Sequence, residues 1–93
     1  MERESIRLGS VAFSKSGRDS GRYYLIVGLE GEFAYIAGGG IRKLAKPKKK
    51  KLKHLRLRGE VCENIGEKLA DGRIVHDSEI FSALRTYNEN QKN

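Results

Sequence analysis

Two apolar runs, YYLIVGL at 23–29 and FAYIA at 33–37, are separated only by Glu30-Gly31-Glu32, and no other feature of this chain restricts its fold as much. Aromatic and β-branched residues in runs of this length read as strands, and a three-residue gap containing glycine reads as a hairpin. Upstream, Val11 and Phe13 alternate with Ser10, Ala12 and Ser14, the period of a half-buried strand. Between that strand and the hairpin, residues 15–22 hold two glycines, two serines and an aspartate, a composition that reverses a chain. Gly38-Gly39-Gly40 ends the hairpin, and residues 41–45 read as a short fourth strand. Pro47 restricts Lys46 to extended conformations. From His54 the alternation resumes, with Leu55 and Leu57 on one face and Arg56 and Arg58 on the other, as in an edge strand.

Five short strands in about fifty residues predict a mainly β protein, a small SH3-like five-stranded barrel, since closure hides edges that would otherwise pair with other chains. The periodicity then changes. Val61, Ile65 and Leu69 recur at helical spacing, with Asp71-Gly72 as a stop. A second helix is predicted where Asp77 or Ser78 caps a segment whose Ile80, Phe81, Leu84 and Tyr87 form an apolar stripe. The expected organisation is a barrel with its basic ribbon over 6–58, a helical extension packed on it over 59–88, and a frayed polar tail over 89–93, with Asn88 already counted among the fraying residues.

Charge is distributed unevenly. Residues 1–58 carry 15 Lys and Arg against 5 Asp and Glu, whereas residues 59–93 carry 4 against 7. A field concentrated on one part of a 93-residue chain attracts a polyanion far better than the same charge spread evenly. The densest stretch, RKLAKPKKKKLKHLRLR over 42–58, places lysines where point charges on flexible stems suit phosphates.

Signals for chemistry are weak. Cys62 is the single cysteine, so the chain forms no internal disulfide. His54 and His76 lack companion ligands at metal spacing. The triple glycine has no strand-to-helix setting and no following Lys-Ser or Lys-Thr, so a nucleotide-binding loop is not indicated. Glu60, Glu63 and Glu67 read as a solvated helix face. The expectation is a binding protein without catalysis or cofactor, in the cytoplasm, since no secretory signal or apolar span of about 20 residues is present.

The stretch GSVAFSKSGRDSGRYYLIV over 9–27 resembles the KOW motif: a glycine-led strand, a polar turn, a second glycine at Gly21 and a hydrophobic strand. Together with GIRKLAKPKKKKLKHL over 40–55, and more loosely IVHDSEIFSAL over 74–84, it is similar to KOW-domain RNA-binding proteins related to the large-subunit ribosomal proteins of the fourteen-e type and their short bacterial relatives. Gly38-Gly39-Gly40 departs from the single Asp-Gly turn the resemblance implies there. What the resemblance implies is an SH3-like barrel that binds structured RNA, most plainly rRNA of the large ribosomal subunit, with no cofactor and no membrane role.

The candidate RNA contacts are Lys15, Arg18, Arg22, Arg42, Lys43, Lys46, Lys48, Lys49, Lys50, Lys51, Lys53, His54 and Arg56, with Arg58 as a further guanidinium able to fork a phosphate or stack. Tyr23, Tyr24 and Tyr35 are read as core before they are read as stacking platforms. The alternative is a protein-interaction adaptor of the transcription or translation machinery, docking through Ile80, Phe81, Leu84 and Tyr87.

Overall fold

A computed structural model describes residues 6–38, 40 and 43–90. The chain forms β1 (Ser10–Ser14), β2 (Tyr23–Glu30), β3 (Phe33–Ala37), β4 (Lys48–Lys51), a one-turn 3-10 helix (Leu52–His54), β5 (Leu55–Val61), α1 (Glu63–Ala70) and α2 (Asp77–Asn90). All strand pairs are antiparallel, in the order β4-β3-β2-β1-β5.

The predicted hairpin is β2–β3, closed at Gly31, whose φ of 60° lies in the left-handed region where a side chain would be strained. Residues 15–22 form the turn between β1 and β2. There the Gly21 N–H donates to Ser14 O (2.9 Å) and Gly21 has a φ of 88°, so the turn runs directly into β2.

The fourth strand is not where periodicity placed it. Lys43, Leu44 and Ala45 lie in a turn, while Ile41 and Arg42 fall outside the described residues. The lysine run itself is β4, in register with β3 from Phe33↔Lys51 to Ile36↔Lys48. A row of lysines has no alternation to betray a strand, but it suits an edge, where charge discourages pairing with other chains. His54 belongs to the 3-10 turn, so β5 starts at Leu55 and runs to Val61, which pairs with Ser10 and does not open the helix.

The sheet is not a closed barrel. β4 and β5 are its two edges and are not hydrogen-bonded to each other. It is nonetheless strongly curled at one end. Five flat strands would hold their edges about 19 Å apart, yet the four residue steps from Lys51 to Leu55 reach at most about 14 Å. Curling gives the sheet an inside and an outside. Ala12, Tyr24, Ile26, Ala34, Ile36 and Leu55 pack within the concave face, and Val11, Leu25 and Ala37 on the convex face pack against Ile65, Val75, Ile80 and Leu84.

The helices cover that convex face. α1 approaches the turn that leads into β1 backbone to backbone: a Cβ on Gly66 would lie 2.3 Å from Leu8 O, so only glycine fits. Gly72, with a φ of 74°, ends α1 as predicted, and the Arg73 N–H donates to Lys68 O (2.8 Å). The start of α2 differs from the prediction. Glu79 reaches back to the His76 N–H (3.1 Å), while Asp77 accepts from the Leu44 N–H (2.7 Å) and pins the 43–46 turn to the helix. The far end is anchored rather than frayed: the Tyr23 N–H donates to Asn88 Oδ1 (2.8 Å), and α2 extends to Asn90, with residues 91–93 outside the described set.

Candidate nucleic-acid interface

The register of β4 sorts four consecutive lysines into different environments. Lys50 faces inward opposite Ala34, a small residue with no exposed surface that leaves room for a long stem. Its ammonium donates to Ser16 O (2.6 Å) and meets Asp19 Oδ2 (3.4 Å), both on the β1–β2 turn. Lys50 is 7 % exposed and Asp19 is also 7 % exposed, so this lysine is withdrawn from the surface and does not belong to a phosphate-binding ribbon. Its side chain ties the edge strand β4 to the β1–β2 turn.

Lys49 points outward, over the Phe33 ring (4.7 Å from its centroid) and near Glu30 (3.7 Å). Glu30 also accepts from the Tyr35 hydroxyl (2.6 Å), and that bond first, then the Lys49 charge, holds the carboxyl below its ordinary range. Lys49 is thus partly neutralised. Lys48 and Lys51 are exposed, with no ion pair among the described residues.

Around the curled end of the sheet the remaining cations gather. Lys51 closes β4, Lys53 and His54 lie on the 3-10 turn, and Arg56 follows in β5 over the Phe13 ring (5.9 Å). Lys15 joins them because its N–H donates to His54 O (2.9 Å). Glu32 shares a small hollow with Lys51 and Lys53. The result is a basic seam of Lys15, Lys51, Lys53, His54 and Arg56, drawn from the start of the β1–β2 turn, β4, the 3-10 turn and β5, with Lys48 at the far end of β4. Lys15, Lys48, Lys51, Lys53 and Arg56 are exposed and carry no acidic partner among the described residues; His54 is half-buried.

Other predicted cations stand elsewhere. Arg18 is exposed on the β1–β2 turn, Arg22 faces α2, and Lys43 and Lys46 occupy the turn held by Asp77. Arg42 lies outside the described residues. Arg58 is held between Tyr23 and Tyr87, 5.6 and 6.0 Å from their centroids, and approaches Glu60 (4.0 Å). Tyr87 donates to Glu60 (2.6 Å), a bond that pushes its hydroxyl up to about 12. This cluster ties α2 to β5.

The apolar stripe of α2 is divided. Ile80 and Leu84 are 0 % and 1 % exposed within the core, and Tyr87 is half-buried in the Arg58 cluster. These residues hold the helix on the sheet and do not form a docking face. Phe81 is the exception, at 50 % exposure. Of the tyrosines, Tyr24 is buried and its hydroxyl donates to Asp19 O (3.3 Å).

Among the described residues no cluster of His, Cys, Asp or Glu is arranged to hold a metal ion, and no helix is long and apolar enough to cross a membrane. No model of a known protein family matches the chain, and no curated protein matches it.

Proposed function

We propose that this chain is a non-catalytic RNA-binding protein that takes the phosphate backbone of structured RNA along the basic seam. The observation that carries the reading is that Lys15, Lys51, Lys53 and Arg56 lie around the curled end of one small sheet, with Lys48 at the far end of β4, all five exposed and without acidic partners among the described residues. Point charges on flexible stems neutralise phosphates without reading bases, which suits folded RNA, whose deep major groove excludes side chains.

The finer assignment is an SH3-like domain of the KOW kind. It is supported by the strand order, in which the last strand returns through a 3-10 turn to pair with the first, and by the glycine-punctuated β1–β2 turn over 15–22. On the same resemblance the RNA is rRNA of the large ribosomal subunit and the compartment the cytoplasm.

If the five exposed cations each meet a phosphate, log affinity falls with log salt at a slope of about −3.5, from about −0.7 per contact. Fluorescence anisotropy of a labelled rRNA fragment over a salt series measures it. A flat response overturns the mechanism. Crosslinking with sequencing of bound RNA tests the target: discrete rRNA sites are expected, and they disappear in a variant with Lys48, Lys51 and Lys53 changed to Ala.

A further inference from the structure

Phe81 leaves half its surface exposed beside two adjoining hollows of about 140 and 160 Å³, both lined by Arg22, Phe81 and Asn88. Along α2, Arg85 and Asn88 follow Phe81 at i+4 and i+7 and lie on its side of the helix. Across the cleft stand Arg22 and the backbone at Gly38 and Gly40.

The glycines give this cleft its shape. A Cβ on Gly38 would come within 3.1 Å of the Tyr24 ring, and one on Gly40 within 3.8 Å of the Phe81 ring. A side chain at position 40 would therefore begin in van der Waals contact with the phenyl ring. Glycine at position 40, which the basic seam does not use, leaves the Phe81 ring open on that side.

Arg85 is held by Glu89 (3.0 Å), whereas Arg22 is exposed and has no ion pair among the described residues. One aromatic ring beside a guanidinium that makes no ion pair among the described residues, with Glu89 of the second hollow engaged by Arg85, matches one nucleotide, the base on the ring and the phosphate on the cation. It does not match a protein partner, which covers about 800 Å² on each side of a standard interface, because the other exposed large apolar side chains, Leu29 and Ile74, line neither hollow and Phe81 stands alone there among the described residues.

We propose that this cleft takes a single unpaired RNA base stacked on Phe81, with Arg22 holding the adjacent phosphate. The proposal rests on the RNA-binding reading above. It adds a contact for flipped or looped bases to a seam that recognises backbone.

The test compares two labelled RNAs, a fully paired stem and the same stem carrying an unpaired loop. Stacking on one aromatic side chain amounts to about 5- to 150-fold in affinity, so Phe81→Ala is expected to weaken loop-RNA binding by that range and leave the paired stem unchanged. Phe81→Leu, which keeps apolar volume without a π-face, is expected to behave like Phe81→Ala. Arg22→Gln is expected to weaken the loop RNA more than the stem. Ultraviolet crosslinking of the wild type to the loop RNA is expected to place an adduct on the tryptic peptide 74–85.

Equal affinity of wild type and Phe81→Ala for the loop RNA overturns the proposal, as does an equal loss on both RNAs. Wild type that binds neither RNA overturns the RNA-binding reading as well, which separates the two failures. A Phe81-dependent protein crosslink with unchanged RNA binding assigns the cleft to a protein instead.

Discussion

Lys50 shows how far one side chain departs from its neighbours in an otherwise uniform run. Its ammonium and the Asp19 carboxylate are both almost fully enclosed. Breaking a buried ion pair by removing one partner costs about 3–5 kcal/mol, and Lys50 also gives up its bond to Ser16 O. Lys50→Ala is therefore expected to lower the free energy of unfolding by about 3 kcal/mol in urea titrations, while leaving the salt slope of RNA binding unchanged. Lys51→Ala is expected to do the reverse, with a stability change within about 0.5 kcal/mol and a slope reduced by about 0.7. Two adjacent lysines would thus separate a folding role from a binding role. No sequence pattern distinguishes them, because the difference arises from Ala34 opposite one of them and from acceptors brought over by a turn 31 positions away.

At the scale of elements, Glu79 joins the two helices. Its carboxylate accepts from Lys68 of α1 (2.9 Å) and from the His76 N–H that precedes α2. The Lys68 bond first, and then the His76 N–H, hold this carboxyl below its ordinary 4.5. A depressed folded-state value means the stabilisation is fully present above pH 4.5 and disappears as pH falls through the folded value. Glu79→Gln is expected to melt below the wild type at neutral pH, with the gap closing as the solution is acidified below pH 4.5; a gap independent of pH would rule out the ionised cap. Most elements were legible in the sequence: β1, β2, β3 and both helices lie close to where periodicity puts them, because alternation and helical spacing are local. β4 was not, since lysine repeats carry no period. The capping residue of α2 was also misplaced, because Asp77 serves a tertiary contact to Leu44 instead.

For the whole molecule, the helical segment is a structural part of the fold rather than an appendage. Ile80 and Leu84 fill the core between α2 and the convex face of the sheet, and truncating a buried Ile or Leu costs about 2–5 kcal/mol. Losing both would remove most of the roughly 5–14 kcal/mol expected for a chain of this size. Deleting residues 77–93 is therefore expected to abolish the cooperative urea transition. A truncated protein that still unfolds cooperatively would show the sheet to be self-sufficient and would return the stripe to the role of a partner surface. The strand and helix periods, the hairpin and the excess of positive charge before residue 59 are all legible in the chain, because each follows from local spacing or simple composition. Packing settles the rest: that the sheet curls without closing, which of four lysines is enclosed, and that Phe81 stays open while Ile80 and Leu84 are buried. Those outcomes depend on register, on small residues opposite large ones and on contacts between segments distant in the chain, and no local pattern encodes them.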